Sequence, residues 1–209
     1  MEFIGINGGT FDPIHYGHLR PALEVMQKVG LKEVQFIPCF QPVHKESTHV
    51  SAQQRCDMIK LAIKHQAKFT LNTIEIERGG PSFTVETLEL LKQHYPNEGL
   101  VLLMGTDAFS KFHTWQRWQD IIQLANIVIM HRPGEAVPLD CTSGRIYQKY
   151  KVDRLNAMSG QMIDLDVTQL DISSTQVRDL IEKGQSPEYL LLPCVMEYIS
   201  KHRLYQAIK

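Results

Sequence analysis

Apolar positions along the chain fall into short runs separated by polar stretches with a longer period. Glu2 to Asn7 (EFIGIN) is mostly apolar and stopped by Gly8-Gly9, the pattern of a buried strand. From about Gly17 to Val29 the spacing is helical, with Leu19, Leu23 and Met26 on one face and Gly30 as the stop. Pro21 is tolerated only near a helix start, which puts that start close to Gly17. Val34 to Pro38 predicts a second strand. Ser51-Ala52-Gln53-Gln54 is a capping-box pattern that opens a helix running to about His65. Phe69 to Ile76 alternates like a strand, and Thr84 to Tyr95 is helical. Leu100 to Met104 (LVLLM) is continuously apolar, as in a central parallel strand. Thr114 is expected to cap a helix to about Ala125, and Ile127 to Met130 is a further strand. Pro133 to about Gln161 shows no regular period and reads as loop with a poorly defined insertion. Met162 to Val167 predicts a strand and Ser173 to Lys183 a helix stopped by Gly184. Ser186-Pro187 opens a last helical stretch.

Strands alternating with helices, several of them wholly apolar, define the α/β class. The expected architecture is a Rossmann-like, doubly wound parallel sheet with helices on both faces. A single domain over 1–209 is expected, with a C-terminal helical portion from about 173. In such sheets ligands bind beyond the carboxyl ends of the strands, where the strand order reverses.

Composition narrows the function. The chain has 209 residues, 43% hydrophobic and 22% charged, which sets aside disordered and fibrous classes. The net charge of −1 provides no broad basic field for a nucleic-acid duplex. A bound anion must therefore be held by a local arrangement of groups. Cys39, Cys56, Cys141 and Cys194 are scattered with no C-x-x-C, so no zinc or other protein-held metal is expected. Free thiols, no signal-peptide pattern and apolar runs too short for a bilayer predict a cytoplasmic protein with no membrane partner. A homo-oligomer is compatible with this composition.

The stretch after the first strand, Gly8 to His18, reads GGTFDPIHYGH and packs poorly as core. Gly8 and Gly9 are expected to turn the backbone tightly and to leave main-chain N–H groups of Thr10 and Phe11 approachable. The helix that follows presents the positive end of its dipole. His15 and His18, three apart at a helix start, point the same way, with Gly17 between them leaving that side open. Two imidazoles there can donate to phosphate oxygens, more strongly if protonated. Taken singly, a histidine near a helix start is usually surface and Gly-Gly is usually a turn. The whole string in its strand-loop-helix setting suits phosphoryl or nucleotidyl transfer, which needs placed donors more than covalent chemistry. Near the other end, Ile172-Ser173-Ser174-Thr175-Gln176-Val177-Arg178 (ISSTQVR) places an N-cap serine before free amides and an arginine one turn on.

GGTFDPIHYGH resembles the signature of the H-x-G-H nucleotidyltransferases, which are related to class I aminoacyl-tRNA synthetases, and ISSTQVR resembles their second motif. PCFQPVHK (Pro38 to Lys45), RGGPSFTVETL (Arg78 to Leu88) and Gly105-Thr106-Asp107 with Trp115 resemble segments of the bacterial nicotinate-mononucleotide adenylyltransferases. The likeness runs over essentially the whole chain. Val43 stands where that family often has proline, Phe83 replaces its usual tyrosine, and Gln116 follows Trp115 where some relatives have an aromatic residue.

The resemblance implies transfer of the adenylyl group of ATP to nicotinate mononucleotide, giving deamido-NAD and pyrophosphate in NAD biosynthesis. It implies catalytic roles for His15, His18, Lys45 and Arg178 on the phosphates. ATP would be held by Gly8, Gly9, Thr10, Phe11, Gly105, Asp107, Ser173 and Ser174. Thr84 would offer its amide to the nicotinate carboxylate, and Trp115 would stack on the pyridine ring. Mg2+ would arrive with ATP. On the bland reading Trp115 is a core residue beside Trp118, Asp107 caps a loop, and Arg55 makes a surface pair. Transferases acting on pantetheine phosphate, glycerol phosphate or nicotinamide mononucleotide share the two end motifs but not the middle segments. A nucleotide sensor would not need both motifs complete, and a tRNA-charging fragment would carry K-M-S-K-S and a basic face.

Overall fold

The computed structural model describes residues 1–42 and 48–207. The strands are β1 (Phe3–Gly9), β2 (Glu33–Pro38), β3 (Phe69–Leu71), β4 (Gly99–Gly105), β5 (Asn126–His131) and β6 (Met162–Asp166). They form one sheet in the order β3-β2-β1-β4-β5-β6. β1 pairs in parallel with β4, β4 with β5, and β5 with β6. The order runs outward from β1 one way and from β4 the other, so the switch point lies between these two strands. This is the doubly wound α/β arrangement that the alternating pattern predicts. Neighbouring residues of a strand face opposite sides of a sheet, so a strand buried at every position is covered on both. Leu100–Met104 and Ile127–Ile129 are buried throughout, which accounts for their unbroken apolar runs.

The helices are α1 (Tyr16–Val29), α2 (Ala52–Ile63), α3 (Ile74–Arg78), α4 (Thr84–His94), α5 (Thr106–Ser110), α6 (Trp118–Leu124), α7 (Thr142–Tyr150), α8 (Ser174–Glu182) and α9 (Pro193–Lys201). A 3-10 turn, Phe112–Thr114, stands between α5 and α6. α2 opens with the capping box read from the sequence: Ser51 accepts from the Gln54 amide, and the Gln54 side chain accepts from the Ser51 amide.

Four expectations need correcting. The strand from Phe69 ends at Leu71, because the Asn72 side chain accepts the Ile74 amide at 3.0 Å and turns the chain into α3. Thr114 does not cap a helix. Its hydroxyl donates backward to the Lys111 carbonyl at 2.7 Å, and α6 starts only after Arg117, whose φ is 51°. The stretch 133–161 contains α7, whose N-cap is Cys141, a sulfur accepting from the Gly144 amide at 3.3 Å. The last helix starts at Pro193 rather than near Ser186, since Tyr189, at φ 65°, breaks helical geometry before it.

Contacts divide the chain into two compact units. The first takes Met1–Gly8, Pro21–Gln35 and Phe83–Gln169; the second takes Gly9–Arg20, Phe36–Ser82 and Leu170–Lys209. The first holds the wholly buried runs of β4 and β5, with α4 against α6. In the second, α2 packs against α9 and β3, and Cys194 and Tyr198 of α9 reach Leu61 and Asp57 of α2.

Candidate active site

β1 delivers the chain to the loop Thr10–Ile14. Gly8 and Gly9 do not make the tight turn expected of them: both belong to β1, and neither has a positive φ. The turn falls at Phe11, with φ 52°, just before a cis Asp12-Pro13 bond. A left-handed backbone is costly for a bulky residue and persists only where packing imposes it. Here the Phe11 ring is 1% exposed, edge-on to His18 at 5.0 Å and against Phe36 at 5.8 Å. A Cβ on Gly9 would come within 3.0 Å of that ring, so this glycine makes room for it.

At the start of α1 the His15 amide donates to His18 Nδ1 at 3.2 Å. An accepting Nδ1 leaves Nε2 as the nitrogen that carries hydrogen, so His18 is a donor without being charged. The two rings lie 3.7 Å apart by centroid, and His15 is buried. A Cβ on Gly17 would meet the His15 ring at 3.0 Å and the Ile172 carbonyl at 3.2 Å. The glycine of H-x-G-H thus lets the ISST segment close against the imidazole.

That segment is fastened by its own side chains. Ser173 caps α8 by accepting from the Gln176 amide at 3.0 Å. Ser174 Oγ donates to the Pro13 carbonyl at 2.9 Å. Arg178 Nη1 donates to the Asp12 carbonyl at 2.7 Å, and its Nη2 lies 3.3 Å from Thr175 Oγ1. Ser174 gives its hydroxyl hydrogen to Pro13, while Ser173 only accepts at its oxygen, so what these residues offer a ligand is main-chain N–H at the head of α8, the Ser173 hydroxyl hydrogen and the remaining guanidinium donors.

Thr10, Phe11, His15, His18, Ser173, Ser174 and Arg178 line one cavity of about 540 Å³, all within the second unit. Gly9 stands just before it without lining it. Gly8, Thr84, Gly105, Asp107 and Trp115 belong to the first unit and do not line it. There Thr84 is the first residue of α4, Gly105 ends β4, and Asp107 sits in the first turn of α5. Trp115 is half-buried, its ring 5.9 Å from Phe112, with Trp118 on the same phenylalanine at 6.0 Å. Lys45 lies outside the described residues.

Sequence reasoning missed Asp12, Thr48 and His49, which also line the cavity. It also misread Arg55, which is fully buried rather than on the surface. Arg55 Nη1 donates to the Thr10 carbonyl at 2.8 Å, while Nε and Nη2 are buried without a partner among the described residues. The signal was present: Arg55 stands four before Ile59, on the buried face of α2. The Asp12 carboxylate is buried and accepts from the Tyr205 hydroxyl at 2.7 Å and the His49 amide at 2.8 Å. Burial pushes the Tyr205 hydroxyl far above its ordinary value, with the charge and hydrogen bond of Asp12 adding to it, so Tyr205 remains a donor.

The doubly wound sheet and a cavity lined by both end motifs suit a nucleotidyltransferase-like α/β protein, and the model of the cytidylyltransferase-like family matches residues 6–180. A relative from Hydrogenovibrio crunogenus, named "Probable nicotinate-nucleotide adenylyltransferase", is 56% identical over 98% of both chains. One of the same name from Dechloromonas aromatica is 42% identical, again over 98% of each. The chain belongs to the nicotinate-nucleotide adenylyltransferase family, enzymes of the nucleotidyltransferase kind. The same fold occurs in Plasmodium falciparum nicotinic acid mononucleotide adenylyltransferase complexed with NaAD, with a TM-score of 0.76, 19% identity and 98% of each chain covered. Nucleotidyltransferases of this kind generally use a divalent metal with ATP. No helix among the described residues is long and apolar enough to cross a membrane.

Proposed function

We propose that the chain transfers the adenylyl group of ATP to nicotinate mononucleotide, and that the triphosphate is held in the cavity between the two motifs. The supporting observation is that His15 and His18 at one motif and Arg178 with the head of α8 at the other line the same space. A phosphate oxygen of the mononucleotide attacks the α-phosphorus of ATP in line. A new P–O bond forms, the bond to the β-phosphate oxygen breaks, and pyrophosphate leaves with that electron pair. No enzyme nucleophile takes part, so the work is positioning and charge stabilisation. His18 donates through Nε2 to the α-phosphate, His15 supports it, and Arg178 neutralises the leaving phosphates. Ser174 and Thr175 contribute amides.

Mg2+ enters as part of the substrate, bound to the triphosphate. The described lining offers imidazole, guanidinium and amide donors, and its carboxylate, Asp12, already accepts from the Tyr205 hydroxyl and the His49 amide, which suits phosphate oxygens rather than a protein-held ion. Among the described residues no group of three or more His, Cys, Asp or Glu is arranged to hold a metal. Lys45, Gly8, Gly9, Gly105 and Asp107 are assigned to ATP, and Thr84 and Trp115 to the pyridine end, on the motif resemblance. Four free cysteines support placing the protein in the reducing cytoplasm.

The test compares nicotinate and nicotinamide mononucleotides with ATP, following pyrophosphate. Main-chain N–H groups bond a carboxylate more strongly than an amide, so kcat/KM for the acid should exceed that for the amide about tenfold or more. Equal specificity constants overturn the choice of substrate.

A further inference from the structure

His49 has no part in either motif, yet it lines the cavity with a side chain that is 57% exposed. Its position is set by one carboxylate. The His49 amide donates to Asp12 Oδ2 at 2.8 Å, and His49 Nδ1 lies 3.4 Å from the same oxygen. The backbone and the ring are therefore both referred to Asp12. A ring with Nδ1 turned to a carboxylate has Nε2 at its opposite end, and the carboxylate favours a proton on Nδ1.

Asp12 is held in turn from the far end of the chain. Its other oxygen, Oδ1, accepts the Tyr205 hydroxyl. Tyr205 has φ 61° and Arg203 φ 51°, two non-glycine residues in the left-handed region just after α9. Such conformations cost of order 1–3 kcal/mol each and cluster where surrounding contacts over-determine them. Arg203 is held by its amide on the Ser200 carbonyl and by buried Leu204 beside it, whose amide donates to Ile199; at Tyr205 the side-chain contact is the half-buried hydroxyl on Asp12.

We propose that His49 is a third imidazole for the triphosphate, oriented by Asp12, with Tyr205 as the positioning residue that holds Asp12. This deepens the reading of the cavity as the triphosphate site and rests on it. His49 stands at the open side, whereas His15 is buried, so His49 grips the outer phosphates and leaves the reacting one to His15 and His18. With a phosphate at Nε2 and Asp12 at Nδ1, the ring lies between two anions. The other charged and titratable groups around it are His15 just before α1, His18 of α1, Arg178 of α8, and Arg55 of α2 under the same loop. A grip of this kind acts on bound ATP and transition state alike, so it appears in KM and not in kcat.

The experiment is steady-state kinetics on the full chain with MgATP and nicotinate mononucleotide. His49→Ala should raise KM for ATP about tenfold, the size of one hydrogen bond to a charged group. KM for the mononucleotide, kcat and the melting temperature should stay near wild type. Tyr205→Phe keeps the ring and loses the hydroxyl; it should raise KM for ATP about threefold, and the double variant should be no worse than His49→Ala alone, as for residues acting in series. An unchanged KM for ATP in His49→Ala overturns the assignment. A Tyr205→Phe effect that persists in full on the His49→Ala background, or appears only in the melting temperature, overturns the positioning role. His18→Ala in the same assay keeps the two readings apart. If it loses turnover while His49→Ala is silent, this inference fails and the triphosphate reading stands; if it is fully active, the triphosphate reading itself fails.

Discussion

The loop after β1 and the ends of β5 and β6 are both built around a buried histidine and aspartates, and they end differently. At the strand ends, His131 Nε2 lies 3.1 Å from Asp164 and Nδ1 lies 3.0 Å from Asp166. The Tyr147 hydroxyl donates to Asp164, and Lys151 stands 3.8 Å from the same carboxylate and over the Tyr147 ring. Each ring nitrogen there faces an anion, and each anion faces a donor. At the loop, His18 is oriented by a main-chain amide of its own turn, Asp12 takes a tyrosine and an amide, and the groups surround a space of about 540 Å³. Dense polar partnering marks the first region as structural. What marks the second as a site is that its side chains are held by backbone while main-chain amides and a guanidinium converge on the same volume.

The sharpest way to break this contrast is His18→Ala. Removing one placed donor to a developing charge costs on the order of 10²–10³ in turnover. Pyrophosphate release should fall by that factor, with the melting temperature little changed. Full activity would put the loop in the same class as the strand ends.

The reciprocal expectation holds for His131. His131→Leu leaves Asp164 and Asp166 facing each other across an apolar side chain, and should cost about 2 kcal/mol of stability by denaturant unfolding. Turnover at a permissive temperature should stay within about twofold of wild type. The same cluster governs the acid limb. Burial pushes the Asp164 carboxyl up, but the Tyr147 hydroxyl, His131 and Lys151 outweigh it and leave its pKa below the ordinary value. A carboxylate depressed in the fold stabilises at pH above its unfolded value, and that contribution is lost as pH falls through the folded one. Asp164→Asn should therefore flatten stability against pH below about pH 4. A fall in turnover with stability intact would place chemistry where only structure is expected.

The two regions were unequally legible in the sequence. The motif histidines, the Ser173 cap and Arg178 stood in two short motifs that the fold brings to one cavity, and the apolar runs of β4 and β5 announced a sheet covered on both faces. Asp12, His49 and Tyr205 were invisible as a set, because their partnership joins positions 12, 49 and 205 and no local period encodes it. Gly9 was read as freedom of the backbone, whereas its use is room for the Phe11 ring; Gly17 was read as leaving a side open, and what that opening admits is the His15 ring and the Ile172 carbonyl. α7 escaped because a cysteine caps it and only Ile146 and Tyr147 give it an apolar face. The His131 cluster escaped for the same reason as Asp12: its members lie on β5, β6 and α7 and meet only in three dimensions.

The smallest expected effect sharpens the comparison within the second unit itself, where a second tyrosine–aspartate pair stands among the described residues. Tyr198 of α9 donates to Asp57 of α2 at 3.0 Å, as Tyr205 donates to Asp12. Burial, the bond to Asp57 and its charge push the Tyr198 hydroxyl up to about 12. A proton held more tightly in the fold stabilises below the ordinary tyrosine value near 10, and the benefit disappears as pH rises through the folded value. Asp57 does not line the cavity. Tyr198→Phe should thus cost a few tenths of a kcal/mol at neutral pH, as for a largely solvated hydrogen bond, and the gap to wild type should close toward pH 12. KM for ATP should not move. Since the two pairs share their chemistry and differ in what the aspartate holds, a rise in KM from Tyr198→Phe equal to that from Tyr205→Phe would mean that α9 packing, and not the orientation of His49, is what the tail supplies.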